Sequence, residues 1–228
     1  MIRTAIAVAA LATLGANPVA QAGCTIEDAS LDWGFKESFR AYISGSIANG
    51  EWTVADGATY TTPLFSWSGG SGALPDGSGE VSFGGSVQFT GHDGILDTTV
   101  ANPTVRIVDS ESAMLLLDVS GTTQQGERVD ASQVEFAELE LPEATVAAGR
   151  TTFVDVPAVL TTSGAEAFGT YEAGTELDPL TLSYVAPADC ELAAPGLPAW
   201  ALWAMGGAAV VGVGVGVVLT RRARRSAD

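Results

Sequence analysis

The last part of the chain contains a run that does not fit a water-soluble domain. No charged residue occurs in 192–220, and four arginines follow at once. The apolar stretch 197–219 is long enough to cross a hydrocarbon core of roughly 30 Å as a helix. Clustered arginines mark the cytoplasmic side of a membrane span. The pattern predicts a transmembrane helix over 196–220 and a cytoplasmic basic tail over 221–228, with the preceding chain outside the cell.

This end of the chain also resembles a sortase signal, which has Leu-Pro, an apolar run and a basic tail. Here Leu197-Pro198 is followed by Ala199-Trp200 where that signal has Thr-Gly. We therefore predict that the anchor is retained and that the protein is a single-pass plasma-membrane protein.

The first 22 residues have the order of features of a secretory signal peptide. Arg3 supplies the positive charge, 5–14 form an apolar segment, and 20–22 read Ala-Gln-Ala, an A-x-A cleavage site. A buried N-terminal helix is the alternative. A signal peptide over 1–22 leaves 23–195 as the ectodomain, which is about the size of one domain.

The predicted ectodomain is strongly acidic. The chain has a formal net charge of −17, and half of its 10 basic residues lie in the signal peptide and the tail. Such a surface repels nucleic acid and anionic lipid, so neither is expected to bind the domain. Solubility in a crowded or salty exterior is a sufficient explanation for the charge.

Cys24 and Cys190 are the two cysteines of the chain, and they bracket the ectodomain. An even count in an exported protein suggests a disulfide, which would join the first and last segments of the domain. Lipidation of Cys24 is the alternative, although Gln21 fits a lipoprotein signal poorly.

One amphipathic helix is predicted near the start of the ectodomain, in the stretch LDWGFKESFRAYI. Four of its positions recur at helical spacing and share a face: Leu31, Phe35, Ser38 and Tyr42. Asp28 or Ser30 can cap its start, and Gly45 marks its end.

The remaining chain has strand periodicity. Apolar and polar residues alternate in VSFGGSVQFT (81–90), which predicts a half-buried strand. Similar runs occupy 51–54, 59–67, 104–108, 114–119, 133–141 and 151–160. The composition of 68–80 predicts a loop, and 163–171 a short helix or turn. Many short strands with frequent turns indicate a mainly β ectodomain, a β-sandwich or barrel.

Signatures of catalysis are missing from the sequence. There is no free cysteine with a histidine partner and no G-x-S-x-G, and a zinc site needs more than one histidine or a cysteine cluster. We therefore predict that the protein is not an enzyme. His92 is the single histidine, and it stands in GHDG (91–94). By itself it fits a structural turn residue.

An ordered set of motifs resembles the haem-transport-associated (HtaA-type) conserved region of actinobacterial cell-surface haem-binding proteins. The motifs are WGFKESFRAYISGSIANG, FSWSGGSG, VSFGGSVQFTGHDGILDTTVANPTVRI and GTYEAGTELDPLTLSY, and together they cover most of the ectodomain. The resemblance implies capture of ferric haem (ferric protoporphyrin IX) and its transfer to other haem-relay proteins or a haem importer. It also implies that the predicted helix contacts haem.

The resemblance implies a role for each of four residues. Tyr42 corresponds to the iron ligand and His92 to the residue that steadies it. Ser38 corresponds to a propionate contact. Tyr171 corresponds to a further tyrosine of the last motif, with Tyr184 close by in sequence. Ser38 and Tyr42 are four residues apart, so a helix presents both on one face.

The chemistry of tyrosine agrees with this implied role. Its free pKa is about 10, so a phenolate at pH 7 costs roughly 4 kcal/mol, which binding to ferric iron can supply. Lys36 and Arg40 are candidate cations for a propionate. Two rival functions remain: an adhesion or structural β-sandwich domain that binds no haem, and a haem-using enzyme such as a peroxidase.

Overall fold

The computed structural model describes residues 24–188 and 190–196. The predicted signal peptide, the apolar run 197–219 and the basic tail lie outside these residues. Within them, no helix is long and apolar enough to span a bilayer.

The described residues form strands with two short α-helices, in this order: β1 (Cys24–Trp33), α1 (Glu37–Ser44), β2 (Glu51–Ala55), β3 (Thr59–Thr61), β4 (Leu64–Leu74), β5 (Gly79–Ser82), β6 (Ser86–Gly91), β7 (Leu96–Ile107), β8 (Ser112–Thr122), β9 (Arg128–Glu140), β10 (Thr145–Ala147), β11 (Arg150–Val156), β12 (Ala158–Leu160), α2 (Thr162–Phe168) and β13 (Leu180–Val185). Two 3-10 turns, Pro75–Gly77 and His92–Gly94, stand before β5 and β7. The predicted mainly β class is confirmed.

The strands form one large antiparallel sheet in the order β10-β11-β13-β1-β4-β5-β7-β8-β9-β12. The long strands change partners along their length. One edge of β7 pairs with β6 through its first half and with β5 through its last four residues. In the same way β4 pairs with β3 near its start and with β5 near its end. Strands that are shared between two partners bend the sheet on itself, which gives the sandwich-like arrangement.

The core is rich in aromatic side chains, which bury more apolar area than any others. The largest fully buried members are Trp33, Trp67, Phe39, Phe65, Phe89, Phe136 and Phe153. Phe35 lies among them, with its ring centroid 5.2 Å from those of Phe65 and Phe89. Burying each such side chain contributes roughly 1.5–3 kcal/mol. Phe39 belongs to α1, so this helix is fastened to the core.

The predicted helix over 31–43 is wrong in its first half. Leu31 and Trp33 are strand residues of β1, buried between polar neighbours and paired with both β13 and β4. Two-sided pairing in a sheet overrides the helical spacing that these residues share with Phe35. The helix begins at Glu37, so neither Asp28 nor Ser30 caps it, and its predicted end at Gly45 agrees with the structure.

The predicted loop over 68–80 is also wrong. Most of it belongs to β4 and β5, which pair with each other. The glycines allow β4 and β5 to approach closely. A Cβ on Gly72 would lie 1.9 Å from the Glu80 carbonyl oxygen. The strand predicted over 81–90 is instead divided between β5 and β6, at Gly85 with φ 129°.

Cys24 and Cys190 form the predicted disulfide, with their Cα atoms 5.6 Å apart. A sulfur in a disulfide is not available for lipidation. The segment that follows Cys190 is held by backbone hydrogen bonds, in which Ala193 donates to Gly77 and accepts from Ser110, at 2.9 and 2.8 Å. The chain at Ala193 therefore lies against the body of the domain.

Burial raises the pKa of Tyr184, on β13, to about 12. Because this value exceeds the unfolded value of about 10, folding stability is unaffected below pH 10 and falls as the pH rises towards 12. The expected loss is about 2–3 kcal/mol. Tyr184→Phe removes this part of the alkaline loss. Urea unfolding of the variant and the wild type at pH 9, 10, 11 and 12 checks it, and an unchanged profile would contradict it.

Candidate functional site

Tyr42 lies on α1, whose fixed position sets the direction of the phenol. Phe39 and Ile43 of the same helix are buried, Tyr42 is half-buried, and Ser38 is exposed one turn earlier. The ring centroids of Phe39 and Tyr42 are 6.4 Å apart. The helix therefore packs one face on the core and presents Ser38 and Tyr42 at its edge.

The start of α1 is capped by a residue that is distant in sequence. No side chain next to the helix caps it, and the Asp178 carboxylate accepts the Glu37 backbone N–H at 2.9 Å. The same carboxylate pairs with Arg40 at 2.6 Å. The Trp33 indole N–H donates to the Asp178 backbone oxygen at 2.9 Å. Asp178 thus ties the helix to the end of β1. Arg40 is neutralised by this carboxylate, whereas Lys36 Nζ donates to the uncharged Glu176 carbonyl at 2.6 Å, so Lys36 keeps an uncompensated positive charge.

His92 lies in the 3-10 turn between β6 and β7. His92 and Asp93 have φ of 52° and 54°, and Gly94 has φ of 88°. Left-handed conformations of this kind favour glycine and short polar residues, which explains the GHDG sequence. The His92 backbone N–H donates to the Ala48 carbonyl at 2.7 Å, so this turn is fixed to the segment that follows α1.

The Tyr42 hydroxyl and His92 Nε2 are hydrogen-bonded to each other. The two ring centroids are 5.7 Å apart, with 50° between the ring planes. Two tautomers fit this contact: the phenol O–H donates to an unprotonated Nε2, or a protonated Nε2 donates to the oxygen. The predicted ligand tyrosine and its predicted histidine partner are therefore in direct contact.

The Ser38 hydroxyl lies 2.9 Å from the Tyr171 hydroxyl. Tyr171 follows α2 and is stacked on Phe168, with ring centroids 6.5 Å apart. Lys36 Nζ lies 5.7 Å from the Tyr171 ring centroid. Tyr184 is buried on β13 against Phe153, away from this group. Of the two tyrosines of the last motif, Tyr171 is the one that the fold brings to the predicted site.

Burial raises the pKa of Tyr42 above its usual value of 10.0, and the nearby Tyr171 adds to this effect. In the absence of a ligand the phenol is therefore neutral at pH 7. A Lewis acid binds this oxygen as a phenolate only if the hydroxyl proton leaves. His92 Nε2 is the group in contact with the hydroxyl and can accept that proton.

The four predicted site residues converge from three parts of the fold. Sequence reasoning did not identify Asp178. Nothing in the sequence around it shows that a residue just before β13 caps a helix so far away in the chain. Among the described residues, no group of three or more His, Cys, Asp or Glu side chains is arranged to hold a metal ion. The site therefore offers one phenol oxygen with polar neighbours.

Comparison with known families and structures gives consistent matches. The HtaA family model, described as Htaa, matches residues 28–183. The chain is similar to the C-terminal domain of HtaA from Corynebacterium glutamicum, at 35% identity and a TM-score of 0.66, covering 72% of this chain and 99% of that one. The N-terminal domain of the same protein matches at 34% identity and a TM-score of 0.59, covering 70% and 97%.

A third similar structure is the heme binding protein HtaB from Corynebacterium glutamicum. It matches at 25% identity and a TM-score of 0.57, covering 72% of this chain and 95% of that one. No curated protein matches the sequence.

Proposed function

This chain belongs to the HtaA family, and on that premise we propose that it is a cell-surface protein that captures ferric haem through Tyr42 and relays it for haem-iron uptake. The observation that carries the proposal is the hydrogen bond between the Tyr42 hydroxyl, in the last turn of α1, and His92 Nε2. The haem binding of HtaB, a relative with the same fold, supports it.

A single protein oxygen suits iron that is already held by a porphyrin. Haem would bring its own ring nitrogens as iron ligands, so the single Tyr42 oxygen would be enough to hold it, as in other proteins with a tyrosine ligand. A free metal ion would need several protein ligands, and the described residues offer no such cluster. The donor set of the site therefore favours haem over a bare ion.

The role of His92 is to accept and hold the proton of Tyr42. The phenol is neutral at pH 7 without ligand, since the ordinary tyrosine pKa is about 10 and burial raises the pKa of Tyr42 further. On binding of the Tyr42 oxygen to ferric iron, His92 Nε2 would take the phenol proton, and the resulting N–H would donate to the phenolate oxygen. A hydrogen bond to the charged form favours that form. The pair thus forms the anionic ligand with a hydrogen-bond donor already beside it.

The polar group beside Tyr42 suits the carboxylates of haem. The hydroxyls of Ser38 and Tyr171 are donors, and Lys36 carries the positive charge next to the Tyr171 ring. In a domain of such acidic composition, a local cation offsets the repulsion between the surface and two propionates. We assign Ser38, Tyr171 and Lys36 to the propionate side of the haem.

We also propose a cellular location and binding partners for the domain. We place the domain outside the cell, held by a single membrane span over 196–220. Haem arrives from, and passes to, other haem-relay proteins or an importer, and nucleic acid is not a partner. The acidic surface favours a basic partner domain.

The test is a haemin titration of residues 24–196, followed by visible absorption. This part contains the whole described core, and similar domains of HtaA have been crystallised on their own. Saturable binding with a ferric tyrosinate spectrum supports the proposal. The absence of saturable binding would overturn it and leave the structural β-sandwich as the explanation.

His92→Asn is expected to weaken haemin binding about 10-fold, since a partner of a metal ligand contributes about this much to metal affinity. Asparagine tolerates the left-handed backbone at this position, so the turn is kept. The affinity of the variant is measured by the same titration. Asp93→Asn, the neighbouring change in the same turn, is the control and should stay within about twofold of wild type. Equal affinities of the His92→Asn variant and the wild type would show that His92 is only a turn residue.

A further inference from the structure

Two large apolar side chains on the segments that carry Tyr42 and His92 are exposed, Ile47 in the turn after α1 and Ile95 directly after the His92–Gly94 turn. Ile47 is 74% exposed and Ile95 is 56% exposed. The other large exposed apolar side chains among the described residues are Leu64, Val108, Val146 and Val154. None of those four belongs to the segments that form the site. Exposed apolar side chains beside a binding site are available for contact with an apolar part of the ligand.

Both isoleucines are held by the hydrogen bonds that fix His92. Ile47 directly precedes Ala48, whose carbonyl accepts the His92 N–H at 2.7 Å. The Ile95 N–H donates to the His92 carbonyl at 3.2 Å, and the Ile95 carbonyl accepts the Thr122 hydroxyl at 2.8 Å. The backbones that carry both side chains are therefore fixed relative to the Tyr42–His92 pair.

The site has a polar end and an apolar end along α1. Ser38 precedes Tyr42 by one turn, about 6 Å along the axis, and bonds to Tyr171. From Tyr42 the helix continues away from Ser38 and ends at Ser44. Ile47 follows in the turn after the helix. Haem has the same polarity, with two propionates at one edge and methyl and vinyl groups at the other. The order Ser38, Tyr42, Ile47 therefore matches the order propionate, iron, apolar edge.

We propose that Ile47 and Ile95 contact the vinyl-bearing edge of the porphyrin and make the site selective for porphyrins with apolar substituents there. This inference rests on the proposed function and assigns the orientation of the haem within that site. The two isoleucines are specificity residues, because they touch the ligand at a distance from the iron.

The test compares two probes, haemin and iron(III) haematoporphyrin, in which both vinyl groups are replaced by hydroxyethyl groups. Placing a hydroxyl against apolar side chains without a hydrogen-bond partner is unfavourable. We expect the wild type to bind haemin at least about 10-fold more tightly than haematoporphyrin iron. In an Ile47→Ser/Ile95→Ser variant we expect haemin affinity to fall about 10-fold and the preference to fall to about twofold or less.

The matched control is Val146→Ser/Val154→Ser, which removes two exposed apolar side chains on β10 and β11. It should keep both the affinity and the preference of the wild type. If the isoleucine variant binds haemin but keeps the wild-type preference, this inference is wrong and the proposed function stands. If the wild type binds neither probe, both fail.

Discussion

Tyr42→Phe is expected to lower haemin affinity by at least about 100-fold and to abolish the tyrosinate absorption. The substitution removes one oxygen and keeps the ring, so the packing of Tyr42 on Phe39 is preserved. The only protein atom that the proposal assigns to the iron is then gone. The measurement is a haemin titration of the variant beside the wild type.

The matched control for this prediction is Tyr60→Phe. Tyr60 is a half-buried tyrosine on β3, packed against Phe65 and Trp52 with ring centroids 4.6 and 5.3 Å away. It should bind haemin like the wild type. Equal binding by Tyr42→Phe and Tyr60→Phe would mean that Tyr42 is not the ligand, and an effect of Tyr42→Phe on stability alone would favour the structural β-sandwich.

A peroxidase assay of the haem-loaded protein separates haem capture from haem-dependent catalysis. A peroxidase uses acid–base groups on the open side of the haem, and the single histidine of this chain is already bonded to Tyr42. We therefore expect peroxidase turnover of the haem-loaded protein to remain near that of free haem. Turnover far above this level would favour the enzyme.

The sequence predicted the class of fold better than the bounds of its elements. Period-two alternation identified β6, because one face of that strand is buried and the other is not. It could not separate strand from helix at Leu31 and Trp33, which lie in an apolar pattern that continues into the helix. What decides there is pairing with β4 and β13, which are contributed by distant parts of the chain.

The sequence also predicted only part of the site, because local spacing is visible in a sequence and long-range contacts are not. Helical spacing placed Ser38 and Tyr42 together, and α1 keeps them so. The contact between Tyr42 and His92 is formed across 50 residues, and only the family resemblance suggested it. The cap from Asp178 had no signal at all in the sequence, since any of many acidic residues was an equal candidate. Long-range contacts of this kind are set by the topology of the sheet.

The disulfide is expected to contribute several kcal/mol to the stability of the domain. Cys24 and Cys190 are 166 residues apart in sequence, so the bond closes a very long loop in the unfolded chain. The chain-entropy model gives about 5 kcal/mol for such a loop, as an upper value. We expect Cys24→Ser/Cys190→Ser to lower the free energy of unfolding by about 3–5 kcal/mol at pH 7. Replacing both cysteines avoids an unpaired thiol.

The site should be affected much less than the stability, because the disulfide and α1 are at opposite ends of β1. Cys24 is the first residue of that strand, and Trp33 is the last residue before the turn that leads into α1. The measurements are urea unfolding and haemin titration of the same variant, with reduced wild type as the control for the substitutions. Haemin affinity of the folded variant should stay within about threefold of wild type. A loss of affinity as large as that of Tyr42→Phe would mean that the crosslink positions the site, and a loss of stability below about 1 kcal/mol would mean that the strands alone hold the ends together.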